Sequence, residues 1–280
     1  MRAVILTYHC LTTGSREYST DDHVALGADV ELLRDAGVRF TSLKRIAEHI
    51  RWGRHTDLNE GYWAGLSFDD GADYDYKDYV VDGVTVSKSF YSILNEFSRR
   101  TRAPIHGTSF VIVIVSDEAR KELDEQLLGG HGNWGNWWWR RIIASGRWSV
   151  CNHSWDHNHD LVRGNVFRNT PRGRFDHVST FDEADFQILR SEDVLGAALG
   201  NAEPGMFSFP YGQYNDFLTR EYFPSRSNRF LAAFCTDPDV VHDHSDIWRL
   251  PRFVFGDHWT TPDGLRAIVE QLKSEPPAAY

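Results

Sequence analysis

The stretch GLSFDDGADYDY, residues 65–76, places two adjacent carboxylates at the point where an apolar run ends. The three residues before them, Leu-Ser-Phe, are typical of the last positions of a buried strand. Like charges repel and partial burial penalises ionisation, so neighbouring Asp69 and Asp70 are unfavourable unless they have different tasks. We interpret the pair as one carboxylate that binds a metal ion and one that moves a proton.

Short β-rich runs alternate with helix-like segments on both sides of this stretch. The run TSFVIVIV, residues 108–115, lacks polar alternation after Ser109, as expected for a strand covered on both faces of a parallel sheet. The candidate strands are Ala3–Tyr8, Trp63–Phe68, Thr108–Val115, Trp148–His153, Met206–Phe209, Leu231–Cys235 and Trp248–Val254.

Helices are predicted between these strands. Residues 21–37 have acidic residues early and a glycine at the end, and residues 261–273 form a helix close to the end of the chain. Residues 180–200 open with a capping box from Thr180 to Glu183. The alternation of strands and helices predicts an α/β fold, either a (β/α) barrel or a doubly wound sheet.

The chain shows no linker or break in composition. We therefore predict a single domain over residues 1–274, followed by a flexible tail at residues 275–280. In both candidate architectures, functional groups gather at the carboxyl ends of the strands.

Composition excludes several classes of protein. The 280 residues carry a net charge of −10, which argues against a nucleic-acid surface because phosphate binding needs a basic face. No run approaches the roughly 20 apolar residues of a membrane span. The apolar start is too short for a secretory signal, and the three cysteines form no CxxC pair. These features predict a cytoplasmic protein, although a leader upstream of this sequence is compatible with them; the oligomeric state stays open.

Three polar stretches follow or end candidate strands and are expected at one edge of the sheet. They are DDG (residues 69–71), CNHSWDHNHD (residues 151–160) and SFPYG (residues 208–212). His153 and His157, four residues apart, can meet one ion from a helical turn or tight loop. One carboxylate completes such a set and leaves positions for water and substrate. Each stretch alone also fits an ordinary turn or a chance surface pair, but their combination favours a catalytic metal site.

These motifs resemble those of the polysaccharide deacetylases, the carbohydrate esterase family 4 group that shares the NodB homology domain. SFDDG resembles the family's TFDDG, HSWDH matches H-[ST]-x-x-H, and SFPYG resembles R-x-P-[YF]-G. The likeness extends from the opening LTYH to the late RLPRFVF and covers nearly the whole chain. It implies a distorted (β/α)7 barrel of the NodB type and metal-dependent removal of acyl groups, usually acetyl from N-acetylated sugars.

The resemblance also implies roles for individual residues. Asp69 is expected to be the general base, while Asp70, His153 and His157 bind the metal, typically zinc. Such a ligand set also suits cobalt, nickel, manganese or iron. The backbone N–H of Tyr211 is expected to help stabilise the tetrahedral oxyanion.

The chain departs from the family pattern at two catalytic positions. Ser208 stands where the family often has an arginine, so Arg249 or Arg252 is expected to supply that charge from another strand. The usual closing Leu-x-x-His is not found, and His258 in GDHW is the nearest candidate for the general acid, although it also fits a position lining a loop.

Substrate contacts are predicted at the ends of two strands. His9, which ends the first strand, is expected to point toward the mouth of the site, although a structural histidine fits equally well. Pro210 and Tyr211 are expected to contact substrate from the third motif.

Other polar and aromatic residues near the motifs have simpler interpretations. The Trp-rich loop, residues 129–139, is either an aromatic plug over a barrel end or a wall for sugar stacking. Asp156 is expected to orient an imidazole or to face water. We expect solvated loop acids at Asp73 and Asp75 and surface positions for His159, His242 and His244.

Three functions remain open. The first is a metal-dependent hydrolase of non-peptide carbon–nitrogen bonds that deacetylates an N-acetylated sugar or polysaccharide. The second keeps the same site but hydrolyses a small amide, formamide or ureide. The third is a catalytically impaired barrel that binds saccharide through the Trp-rich loop.

Overall fold

The computed structural model describes residues 1–10, 14–81, 83–113, 116–160, 162, 171–200 and 205–274. The predicted tail at residues 275–280 and the last two residues of the predicted strand 108–115 lie outside these ranges.

The described residues contain eleven strands. They are β1 (Arg2–Tyr8), β2 (Arg39–Phe40), β3 (Trp63–Phe68), β4 (Tyr79–Val81), β5 (Thr85–Ser87), β6 (Gly107–Val111), β7 (Trp148–Asn152), β8 (Gly205–Ser208), β9 (Phe230–Phe234), β10 (Val241–His242) and β11 (Phe253–Val254). Strands β4 and β5 form a separate antiparallel hairpin.

The main sheet runs in the order β10-β1-β3-β6-β7-β8-β9, with β2 added beside β3 and β11 beside β1. All its pairings are parallel except that of β1 with β10. The segment around Leu250 bonds to β9 and continues into β11 on β1, so it closes the sheet into a distorted barrel. This architecture confirms the predicted (β/α)7 fold and a single domain.

Helices cover the barrel. They are α1 (Asp22–Asp35), α2 (Leu43–Trp52), α3 (Phe90–Thr101), α4 (Asp117–Leu127), α5 (Trp139–Ile143), α6 (Phe181–Ala184), α7 (Arg190–Leu199), α8 (Phe223–Ser225) and α9 (Pro262–Lys273). Among the described residues, no helix is both long enough and apolar enough to pass through a membrane.

Most predicted elements are confirmed, and two are corrected. The capping box of Thr180 and Glu183 is present, but the helix it opens includes a π-helical stretch at Asp185–Leu189 between α6 and α7. The strand expected at Trp248–Val254 is reduced to β11, because the residues before it make only an isolated bridge from Leu250 to β9.

The register aligns the strand ends that carry the motifs. Tyr8 pairs with Phe68, so the residues that follow β1 and β3 lie side by side. The backbone N–H of Asp69 accordingly donates to the Tyr8 carbonyl at 3.1 Å. On the other wall, Asn152 pairs with Phe207, which sets His153 next to Ser208.

Candidate active site

Backbone strain is concentrated where the motifs meet. Five of the eight non-glycine residues with positive φ among the described residues belong to the motif loops. The left-handed region is costly for residues with a side chain, and such outliers persist where the surrounding structure holds them. The five are Asp70, Ser154, His157, Asn158 and Tyr211.

Asp70, His153 and His157 lie close together at the carboxyl ends of β3 and β7. One ligand atom from each lies within 4.8 Å of the others, and all three residues contribute to a single cluster. The Nε2 atoms of His153 and His157 are 3.5 and 3.6 Å from Oδ1 of Asp70. The two histidines reach this point from a tight loop, because Ser154 and His157 both have positive φ.

The ring of His153 is oriented for binding a cation. Its Nδ1 lies 2.9 Å from the Ser208 carbonyl, which can only accept, so Nδ1 carries the proton and Nε2 has a free lone pair. Burial lowers the pKa of His153 despite the opposing charges of Asp69 and Asp70. Burial also lowers the pKa of His157 well below its usual value. Both imidazoles are therefore neutral near pH 7, as metal binding requires.

The donor set fits a divalent cation. An ion about 2.1 Å from each of two tetrahedral ligands separates those ligand atoms by about 3.4 Å, close to the two distances found here. Two imidazoles and one carboxylate suit zinc and related metals and leave coordination positions for water and substrate.

Asp69 is held by a buried arginine. The guanidinium of Arg252 donates to both carboxylate oxygens at 2.8 Å, and Arg252 is fully buried. Its remaining N–H groups donate to Ser67, Ser208 and the Cys235 carbonyl. Ser208 stands at the position of the family's usual arginine, and this charge-assisted fork from Arg252 supplies the positive charge beside Asp69 instead. Arg249, the other candidate, is exposed and pairs with Asp246.

The ion pair decides the charge of Asp69. Burial alone would raise the pKa of this carboxyl, but the charge of Arg252 and the hydrogen bonds that Arg252 donates hold it well below its usual range. Asp69 is therefore ionised at neutral pH. Its Oδ2 lies 3.9 Å from Nε2 of His153, next to the candidate ligand set.

A pocket of about 210 Å³ opens onto these groups. Trp134, His159, Tyr211 and Asp257 line it together with both motif aspartates and the two histidines of the ligand set. His9 also lines the pocket, and its contact with substrate stays a prediction. The Tyr211 ring stands edge-on to His157, with ring centroids 4.3 Å apart.

His258 lies apart from the pocket lining. Its Nδ1 accepts the backbone N–H of Val254 at 2.7 Å, which caps the turn after β11. Asp257 and Val254 line the pocket there, and the structure gives His258 this local turn contact instead of a place beside Asp69. Pro210 is buried, and Tyr211 after it is the exposed member of the pair.

The expectation for Asp73 and Asp75 was wrong, because both are buried. Asp73 accepts from the backbone N–H of Gly135 and from Nε1 of Trp137, both at 2.7 Å. Asp75 accepts from Ser109 at 2.6 Å and from the Cys10 thiol at 3.2 Å, and burial raises its pKa to about 7. Sequence reasoning missed these roles because the partners are distant along the chain.

The Trp-rich loop is mainly a packing element. Trp138 and Trp139 are buried in the main core, as the plug interpretation predicts, whereas Trp134 lines the pocket and Trp137 stays 42 % exposed. Asp124 anchors the loop by accepting from the backbone N–H of Asn133 at 2.8 Å.

Two further expectations need correction. Asp156 neither orients an imidazole nor faces water; its carboxylate is buried and accepts from Arg172, Gln187 and the Asn158 backbone. His159 is partly buried in the pocket lining instead of lying on the surface. His242 and His244 are exposed, as predicted.

Comparison with solved structures supports the fold. The chain is similar to the Streptococcus pyogenes deacetylase PplD in complex with acetate (17 % identity, 98 % of this chain and 99 % of that chain covered, TM-score 0.63). It is also similar to IcaB from Ammonifex degensii (19 %, 98 % and 97 %, TM-score 0.62). A third similar structure is the BpsB deacetylase domain from Bordetella bronchiseptica (14 %, 91 % and 96 %, TM-score 0.59).

Sequence comparison adds the family. No curated protein matches the chain closely enough to count as a relative. A sequence profile for polysaccharide deacetylase matches residues 59–222, more than half of the chain, and spans all three motifs. Together with the strand-end geometry, this match establishes that the chain belongs to the polysaccharide deacetylase family.

Proposed function

We propose that this protein is a metal-dependent deacetylase that removes the acetyl group from an N-acetylated sugar or polysaccharide. The observation that carries the proposal is an ionised carboxylate, Asp69, fixed by Arg252 beside the ligand set of Asp70 and the neutral imidazoles of His153 and His157. The arrangement joins a proton acceptor to a cation site in one small pocket.

The chain's own groups have distinct tasks in this reaction. A zinc ion or a related cation, when bound, supplies Lewis acidity toward the acyl oxygen and the attacking water. Asp69 accepts a proton from that water while the oxygen of the water forms a bond to the acyl carbon. The backbone N–H of Tyr211 donates to the developing oxyanion. Arg252 keeps the acceptor oxygens of Asp69 in place throughout.

His9 is the group we assign to the leaving nitrogen. Cleavage of the carbon–nitrogen bond requires a proton on the sugar amine, and His9 lines the pocket beside Asp69 while His258 does not. The two histidines of the ligand set are engaged elsewhere, and the remaining pocket histidine, His159, lies 3.0 Å from the Asp160 carboxylate. His9 therefore replaces His258 as the proposed general acid.

Asp69→Asn is the direct test of this assignment. The amide cannot accept the proton, so we expect kcat to fall by about 10²–10⁴-fold while zinc binding is retained. Zinc content and hydrolysis of N-acetylated chitooligosaccharides should be measured on the same samples. An Asp69→Asn enzyme with full activity would contradict the role of Asp69.

His9→Gln tests the second proton transfer. We expect kcat to fall by about 10²–10⁴-fold, because the leaving nitrogen loses its proton donor. The same change at His258 is the matched control and should leave kcat unchanged.

A substrate panel separates this function from its competitors. Acetylated oligosaccharides, small amides, formamides and ureides should be compared after chelation and again after zinc is restored. Zinc-dependent release of acetate from the saccharides supports the proposal. Turnover of only the small compounds would favour the second function, and saccharide binding without any turnover would favour the impaired barrel.

A further inference from the structure

A second cavity lies at the amino ends of the strands, on the face of the barrel opposite the motif loops. Its volume is about 710 Å³, more than three times the 210 Å³ of the pocket at the ligand set. Residues at the start of β3 and β7 and around β2 line it, including Trp63 and Arg147. None of its lining residues belongs to the three motifs.

The lining is basic in a protein that is acidic overall. Four arginines and one aspartate line the cavity, which gives a local charge of 4 − 1 = +3, whereas the whole chain carries −10. His106 adds no charge near pH 7, because burial lowers its pKa to about 4. A concentration of positive charge in a concave site attracts anions.

Two of the four arginines have a carboxylate partner and two do not. Arg34 pairs with Glu31 and Asp35, and Arg45 pairs with Asp57. Among the residues that the structure describes, no carboxylate lies within ion-pair distance of Arg39 or Arg147. Arg147 donates one hydrogen bond to the neutral Oδ1 of Asn95 at 3.3 Å.

The side chain of Arg39 packs between Trp63 and Gly61. The Cζ atom of its guanidinium lies over the Trp63 ring, 4.1 Å from the ring centroid. Gly61 packs against the same group, since a Cβ there would lie 2.8 Å from an Arg39 nitrogen. These contacts restrict the guanidinium, and a restricted guanidinium loses less entropy when it binds an acceptor. The amino end of α2, capped by Ser42, also lies in the lining and adds partial positive charge.

The floor of the cavity is apolar. Val38, Phe40 and Ile105 line it and are buried. A ligand that fits the whole cavity therefore has a doubly negative group for the two unpaired guanidiniums and an apolar part for the floor. A phosphate monoester has this charge at neutral pH, and arginine recognises phosphate through paired hydrogen bonds.

We propose that this cavity is a binding site for a small organic phosphate monoester, with the phosphate on Arg39 and Arg147 and the apolar part on Phe40 and Ile105. The site is distinct from the deacetylase centre and does not depend on the function proposed for that centre.

Phenyl phosphate is a suitable probe because it combines both features. Its binding to the full, zinc-loaded chain should be measured by isothermal titration calorimetry, beside inorganic phosphate and benzyl alcohol. We expect phenyl phosphate to bind about tenfold more tightly than inorganic phosphate, because only the former also buries apolar surface. We expect no measurable heat from benzyl alcohol.

Variants locate the site. Removing both guanidiniums in Arg39→Gln/Arg147→Gln should weaken phenyl phosphate binding by about tenfold or more, because charge-assisted contacts are lost. The control Arg99→Gln/Arg220→Gln removes the same charge outside the cavity and should retain the affinity of the parent chain. Asp70→Asn, at the other end of the barrel, should also leave it unchanged. If the double variant does not fold, Arg147→Gln alone, at an exposed position, should still weaken binding by about threefold.

Several outcomes would overturn the proposal. They are failure of phenyl phosphate to bind, equal binding of inorganic phosphate, equal weakening in the control pair, or loss of binding in Asp70→Asn. The last result would place the phosphate on the cation centre instead.

Discussion

Arg252 and Asp69 share two parallel hydrogen bonds of 2.8 Å inside the barrel wall, although they are 183 residues apart in sequence. Arg252 comes from the segment that closes the barrel, and Asp69 comes from the end of β3. The pair therefore joins the proposed general base to the segment that closes the barrel.

Replacing Arg252 should affect activity, its pH dependence and stability together. In Arg252→Gln the guanidinium no longer opposes the effect of burial on Asp69, so the pKa of Asp69 rises. The acid limb of the kcat/KM profile should therefore move to higher pH. Breaking a buried ion pair by removing one partner costs about 3–5 kcal/mol of unfolding free energy. Urea unfolding and a pH–rate profile check both effects.

Arg249→Gln is the matched control for this experiment. Arg249 is exposed and pairs with Asp246 three residues away, so its loss should change unfolding free energy by less than about 0.5 kcal/mol. An unchanged acid limb in Arg252→Gln would contradict the assigned interaction.

Zinc should stabilise the folded chain through Asp70, His153 and His157. Free zinc at about 100 times its dissociation constant raises the unfolding free energy by about 2.7 kcal/mol, because it binds only the folded ligand set. Thermal unfolding with zinc and with chelator measures this shift. His153→Ala should abolish it, whereas His242→Ala, at an exposed histidine, should preserve it. A shift that survives His153→Ala would show that zinc binds elsewhere.

Asp29 should make stability depend on pH. Its buried carboxylate accepts from Tyr8, Tyr18 and Trp259, yet burial dominates and raises its pKa to about 6. Between about pH 4 and pH 6 the folded chain retains a proton that the unfolded chain has lost. The contribution of Asp29 to stability therefore falls by about 1.4 kcal/mol per pH unit across this window and is constant above it.

The difference in unfolding free energy between the parent chain and Asp29→Asn isolates this contribution. That difference should shift in favour of the variant as pH rises from 4 to 6 and then level off, as measured by urea unfolding at several pH values. A difference that stays flat over the window would exclude a raised pKa at Asp29.

Asp73 should hold the Trp-rich loop in place. Asp73→Ala leaves the backbone N–H of Gly135 and Nε1 of Trp137 without their acceptor, and the loss of these two partly buried hydrogen bonds costs about 0.5–1.5 kcal/mol each. We expect faster hydrogen exchange at residues 132–137 and lower stability. Asp216→Ala, whose side chain is 83 % exposed, is the control and should change neither. Unchanged exchange in the loop would contradict the anchoring role.

The alternation of strands and helices was enough to predict the barrel and the meeting of the three motifs. In a parallel barrel, the carboxyl ends of the strands share one edge. The ends of β3, β7 and β8 therefore bring Asp70, His153 and Ser208 together, regardless of the conformation of the loops between them. The local sequence pattern is enough to predict this site, because the position of the site depends only on where the strands end.

The choice between Arg249 and Arg252 lay beyond local pattern. Arg249 closes a turn, with its backbone N–H donating to the Asp246 carbonyl, whereas Arg252 follows the bridge from Leu250 to β9; only this tertiary pairing decides which arginine points inward. The burial of Asp73 was equally hidden, because its partners lie more than 60 residues away. For His258 the sequence left two interpretations, a general acid or a loop position, and the contact with a backbone group only four residues away favours the loop.

The position of Arg252 has a consequence for biosynthesis. The ribosome synthesises the DDG, HSWDH and FPYG segments well before the WRLPR segment. A nascent chain therefore contains the candidate cation ligands while Asp69 still lacks its ion-pair partner and the barrel is not yet closed. Chains truncated anywhere before residue 252 should therefore have no hydrolase activity, because they lack Arg252, the partner of Asp69.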